Sequence, residues 1–136
     1  MTNRRATKKK KMIEAVGNCG DVAFALTMAY RHGGAVLCHG WPIGTAGPPK
    51  GLRYWHAWVE IDSVVYDFAN GKNALVPRSL YYEAGTIEAE KVVRYTWKEA
   101  DKLFDEHEHT GPWVVNPYLG TGVLTEEDVY EGLDRV

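Results

Sequence analysis

Apolar and polar positions alternate through YWHAWVEIDSVVYDF, from Tyr54 to Phe68. That is the period of a half-buried strand. Asp62-Ser63 interrupts the alternation and predicts a hairpin, with one strand from Tyr54 to Ile61 and the other from Val64 to Ala69. Upstream the period lengthens. Cys19, Ala23, Leu26 and Tyr30 recur at helical spacing, and Val22 and Ala29 widen the stripe. A helix is predicted from Cys19 to Arg31, with Asn18 as N-cap and Gly33-Gly34 as its stop. Ala35 to His39 reads as a short strand. Gly40 to Arg53, rich in Gly and Pro, reads as a long loop. Ser79 to Ala84 suits a helical turn and Glu90 to Tyr95 another strand. Thr96-Trp97-Lys98-Glu99 is a capping box that opens a helix to about His107, burying Trp97, Ala100, Leu103 and Phe104. Gly111-Pro112 ends that unit. Thr125 to Leu133 suits a last helix with Thr125 as its cap. A helix, then mostly antiparallel strands, then helices reads as an α+β fold.

At 136 residues, of which 45% are hydrophobic and 25% charged, the chain can bury one core without disulfides or metal. Its charge is uneven. Arg4, Arg5 and Lys8 to Lys11 make residues 1–11 a basic arm, while the rest, 12–136, is one domain. From residue 13 onward ten basic residues face all eighteen acids. An acidic body is not a nucleic-acid surface, so nucleic acid is expected at most as a weak contact of the arm. Two cysteines, Cys19 and Cys38, form no secreted disulfide framework. No apolar run suits a membrane span, and no apolar segment follows the basic start as in a signal peptide. The expectation is a cytoplasmic protein with no membrane partner.

The hairpin carries the chemistry. A two-residue turn at Asp62-Ser63 sets Ile61 opposite Val64, and therefore Trp58 opposite Asp67. Residues two apart share a face, so His56, Trp58 and Asp67 lie together, with Asp67 diagonal to His56. A carboxylate there can accept a ring N–H and fix the tautomer of the histidine. A three-residue turn would part them. An oriented histidine is half of a nucleophilic site, and Cys19 is the candidate for the other half. At the start of a helix, the partial positive charge favours thiolate, opposed by Asp21 in the same turn.

GNCGDVAFALTMAYRHGGAVLCHGWPIG followed by HAWVEIDSVVYDFA resembles the core of the transglutaminase-like branch of the papain-like superfamily. The resemblance covers about Gly17 to Asn70. It implies a papain-like fold, in which an N-terminal helix bearing the cysteine packs on a small antiparallel sheet, followed here by C-terminal helices. It also implies Cys19 as nucleophile, His56 as base and Asp67 as its orienter, without a cofactor or metal. The implied activity is hydrolysis or acyl transfer at a peptide or amide bond of a protein, peptide or small amide, with hydrolysis favoured. Two other classes fit less of the pattern: a retired binding module on the same fold, and a cell-wall amidase of the NlpC/P60 type. The chain departs from the family at one point. Family members carry an aromatic or amide side chain upstream of the cysteine to help bind the oxyanion, but none of the eighteen residues before Cys19 is Trp, Tyr, His or Gln. Asn18 could serve instead, though not while capping the helix.

The other candidates have plainer readings. Trp58 shares the catalytic face and would wall the site, and Glu60 reads as a solvent-exposed strand residue. Trp55 points the other way, into the core, and Cys38 reads as core too. His39 reads as structural or exposed, and the Tyr81-Tyr82 pair as packing on the sheet. His107 and His109 look like a solvated cluster, and with Cys38 and His39 they lack zinc-site spacing. The Gly/Pro-rich loop leads straight into the His56 strand, so it is expected to border the catalytic cleft.

Overall fold

The structure is a computed structural model that describes residues 19–47 and 49–129. The arm and Asn18 lie outside the described residues. The protein is α+β, with a five-stranded antiparallel sheet. Helix α1 (Cys19–Ala29) is followed by β1 (Val36–Gly40), β2 (His56–Ile61), β3 (Val64–Asp67) and β4 (Ala74–Pro77). Helix α2 (Arg78–Ala84), β5 (Val93–Tyr95) and α3 (Trp97–His107) complete these elements, and the order across the sheet is β4-β3-β2-β1-β5. Among the described residues, no helix is long and apolar enough to cross a membrane.

Alternation along the strands divides the interior in two. Leu37, Ala57, Val59 and Tyr95 pack with Ala23 and Phe24 of α1 and with Ala100 and Phe104 of α3. On the opposite face Cys38, Trp58 and Val65 meet Tyr82 of α2. Helices therefore cover both faces of the sheet. The turn is the one expected. Ile61 pairs with Val64 and Val59 with Tyr66, while Asp62 and Ser63 take φ of 48° and 66°. Positive φ at both central residues belongs to the tight hairpin turn whose twist matches that of the strands. The capping box of α3 forms as expected. The Thr96 hydroxyl accepts from the Glu99 N–H at 3.2 Å, and the Glu99 carboxylate accepts from the Thr96 N–H at 3.0 Å.

Some expectations change. The buried side of α1 is Gly20, Ala23, Phe24 and Thr27, whereas Ala29 and Tyr30 are exposed. The stripe was misplaced because Thr27, polar by name, satisfies its hydroxyl on the Ala23 carbonyl at 2.8 Å and so can be buried. β4 was not expected. It is a four-residue edge strand ending in proline, with Leu75 facing solvent, so it carries no polar alternation to read. Trp97 and Leu103 are only half-buried. Thr125 does cap a helical turn, its hydroxyl accepting from the Asp128 N–H at 3.2 Å, and residues 130–133 of the expected helix lie outside the described ones.

Glu60 is the largest correction. It is 3% exposed. Its carboxylate accepts from Trp58 Nε1 at 2.9 Å, from the Tyr82 hydroxyl and from Arg78 Nε at 2.8 Å, with Arg94 at 3.4 Å. Burial works against the charge, but these donors and the two cations hold the carboxyl below its usual range. A strand position alternating toward α2 was mistaken for one facing water. Glu60 instead ties β2 to α2 and β5.

Two outcomes follow for stability. Ser63→Gly relieves the left-handed conformation at the turn and should raise unfolding free energy by roughly 0.5–1 kcal/mol in urea titration. Glu60→Ala strands the Trp58 and Tyr82 donors and should cost about 3 kcal/mol in the same titration, most of it in the buried hydrogen bonds rather than the half-exposed arginines.

Candidate active site

The two-residue turn puts Asp67 and His56 where the alternation requires. His56 Nε2 lies 2.9 Å from Asp67 Oδ2, and both residues are buried. The other oxygen of Asp67 accepts the Ala69 N–H at 3.1 Å. Tyr81, from α2, donates its hydroxyl to Oδ2 at 2.7 Å. Three donors therefore converge on one carboxylate. Burial works against its charge, but the bonds from His56, Tyr81 and Ala69 win and hold it below the usual range. The Tyr81 phenol is pushed up in turn, first by burial and then by Asp67, so it stays a donor. Tyr81 was read as packing alone. Nothing near it in sequence points to Asp67, because the two meet only when α2 folds over the sheet.

Cys19 opens α1 as described and is half-buried. Together with Asp67 it favours the charged ring of His56. Since Nε2 serves Asp67, Nδ1 is the ring nitrogen left for the thiol. Burial disfavours the charged ring, but the bond to Asp67, with Cys19 and the neighbouring charges adding to it, outweighs it and pushes His56 up to about 9. The ring thus carries a proton through neutral pH. The turn of α1 that holds the thiol is wedged tightly. A Cβ on Gly20 would lie 2.8 Å from both Thr110 Oγ1 and the Trp55 ring. Asp21, the acid expected to oppose thiolate, accepts the Thr110 hydroxyl at 2.7 Å.

The Gly/Pro-rich loop does border the site. A cleft of about 190 Å³ is lined by Pro42, Ile43 and Thr45 from the loop, by Tyr54, His56, Asp67 and Tyr81, and by Lys72, Ala84, Gly85 and Ile87. The loop folds on itself, with Gly44 N–H to the Leu52 carbonyl at 2.9 Å and Gly51 N–H to the Gly44 carbonyl at 2.8 Å. Arg53, buried beneath it, donates to the carbonyls of Trp41 and Thr86. Trp58 does not wall this cleft. It is fully buried, stacked against His56 with ring centroids 6.1 Å apart, so it supports the imidazole from within. Its ring also fills the place where a Cβ on Gly40 would sit, 2.5 Å away.

The remaining histidines and the second cysteine stay apart from the site. Cys38 is buried on the α2 side, and burial, with Glu60 adding to it, raises its thiol far above the ordinary value. His39 is structural rather than exposed. It sits among Trp55, Tyr95 and Trp113, where burial pushes it down to about 3 and keeps it neutral. His107 and His109 are exposed, with rings 5.7 Å apart. Among the described residues no three His, Cys, Asp or Glu side chains are grouped to hold a metal ion.

Comparison of the chain with protein-family models, with characterised proteins and with solved structures finds no match.

The site's electrostatics have a direct readout. The His56 ring should titrate near pH 9 by NMR, and Asp67→Asn should bring that midpoint down by about 1–3 units. The sign for stability follows from a folded value above the ordinary 6.5. The contribution of His56 is complete below about pH 6.5 and is lost as pH rises through about 9, so the slope of stability between those values should flatten in Asp67→Asn.

Proposed function

We propose that the protein is a cysteine-dependent hydrolase of the papain-like, transglutaminase-like kind, acting on a peptide or amide bond. One observation carries this reading: a buried histidine is held 2.9 Å from a buried carboxylate in the wall of an open cleft, and Cys19 adds to the Asp67 bond in favouring its charged ring. A histidine held only for packing has no need of both partners. His39 shows the contrast, with neither of its ring nitrogens hydrogen-bonded. Further support comes from architecture. The helix that bears Cys19 packs on an antiparallel sheet whose strands supply His56 and then Asp67, the order of the family it resembles.

In this reading the thiol proton resides on His56, and the imidazolium, neutralised by Asp67, stabilises the thiolate. Sulfur attacks the carbonyl carbon, and a C–S bond forms. As the intermediate collapses the C–N bond breaks, and His56 gives its proton to the departing nitrogen. Water, with its proton taken by the neutral imidazole, then attacks the thioester and releases the acid and Cys19. Tyr81 and the Ala69 N–H keep Asp67 charged and aimed. The cleft, with its apolar walls and Lys72 among its lining residues, takes the acyl or leaving group of a protein, peptide or small amide. Hydrolysis is preferred to acyl transfer, because no second-substrate site is needed to complete the cycle.

The two cysteines give an internal control. Iodoacetamide at about pH 6, where an ordinary thiol is almost wholly protonated, should label Cys19 well before Cys38. His56→Ala should slow labelling of Cys19 by at least about tenfold by removing the imidazolium, and Asp67→Asn should slow it less. Peptide mapping by mass spectrometry reads both sites at once. Equal labelling of the two cysteines in the folded protein, insensitive to His56, would sink the thiol-enzyme reading.

A further inference from the structure

An acyl-transfer site needs a donor aimed at the oxygen that becomes negative as the thiolate attacks. The sequence offers Asn18 for that purpose, and Asn18 lies outside the described residues. From the cleft geometry we propose that Tyr54 is the catalytic residue that fills this role, donating its phenolic hydrogen bond to the oxyanion. This assignment rests on the thiol-hydrolase reading above.

Tyr54 lies two residues before His56 and lines the same cleft as His56 and Asp67. Its ring centroid is 5.8 Å from that of His56. The backbone is fixed at this point, since the Tyr54 N–H donates to the Pro42 carbonyl at 3.0 Å. The two tyrosines of the cleft differ in what their hydroxyls do. That of Tyr81 is committed to Asp67, whereas that of Tyr54 makes no hydrogen bond among the described residues and so remains free for a ligand. The phenol is kept protonated, by burial first and then by the charges of Asp67, Cys19 and Glu126. A neutral O–H in the cleft of His56 and Asp67, without a hydrogen bond among the described residues, suits a developing oxyanion.

The bonding changes are simple. As the C–S bond forms, the carbonyl π pair moves onto oxygen, and Tyr54 O–H donates a hydrogen bond to it without transferring its proton. When the pair returns, the C–N bond breaks and the nitrogen leaves with the proton from His56. Tyr54 ends the step as it began.

Acylation and alkylation of Cys19 separate this role from others. p-Nitrophenyl acetate acylates the thiol through a tetrahedral oxyanion, whereas iodoacetamide alkylates it by displacement and forms none. Tyr54→Phe should slow acylation, followed as nitrophenolate release, by about 10²-fold or more. Iodoacetamide labelling of Cys19 should stay within about twofold of the wild type, and a thermal melt should show the variant folded. Unchanged acylation would overturn the assignment. So would an equal loss of acylation and alkylation in a folded variant, which would make Tyr54 a support for the triad rather than a donor. A wild-type Cys19 that neither alkylates ahead of Cys38 nor acylates would overturn the thiol-enzyme reading, and the role of Tyr54 with it.

Discussion

Everything at the candidate site depends on a turn two residues long. Asp62 and Ser63 both accept a left-handed backbone so that Ile61 and Val64 can pair directly. One more residue would shift β3 by a single position and send Asp67 to the α1 side of the sheet. The hydrogen bond at 2.9 Å between His56 and Asp67 would then have no counterpart. Val65 would leave its core as well. The same register that builds the pair also builds the hydrophobic face beneath it, so the fold resists the slip at both levels. Neither turn residue is glycine, and the backbone cost there is set against the packing of two cores.

Once the register is set, the site is held from several sides at different ranges. Asp67 and Ala69 come from the hairpin and the residues just after it, Tyr81 reaches down from α2, and Cys19 stands at the start of α1. Trp58 stacks beneath the imidazole and gives its indole N–H to Glu60, which in turn holds Tyr82 and the two arginines. A buried charge is tolerable only when its hydrogen-bonding capacity is filled. Asp67 and Glu60 both meet that condition, on the same face of β2 and β3, and both do so through the same helix. Helix α2 thus links the charge that orients His56 to the charge that clamps the sheet.

Sequence showed what was local and concealed what was not. His56 and Asp67 are eleven residues apart within one hairpin, and alternation alone put them on one face. The capping box of α3 spans four residues and needed nothing else. Glu60 and Trp58 were placed on the correct face, yet their depth was missed, because alternation does not tell whether another element covers that face. The cover is α2, and with it came Tyr81, whose bond to Asp67 no pattern near Tyr81 announces. β4 escaped because an edge strand of four residues ending in Pro77 carries no alternation. The buried side of α1 was misread because Thr27 and Gly20 do not look apolar, though one hides its hydroxyl on its own helix and the other has no side chain to hide.

Two glycines mark where the chain leaves no freedom for drift. Gly20, just after Cys19, is pressed between Thr110 and Trp55, and Gly40, paired with His56 across the sheet, lies under the Trp58 ring. Even alanine at either place would collide with an aromatic ring that is itself packed. The immediate surroundings of the thiol and of the imidazole are therefore closed to variation by volume, whatever chemistry is selected. Loop residues such as Ile43 and Thr45 stand on the rim of the cleft, outside that packing. Substitutions can reshape the rim one residue at a time, whereas the packing around the thiol and the imidazole can change only as a block.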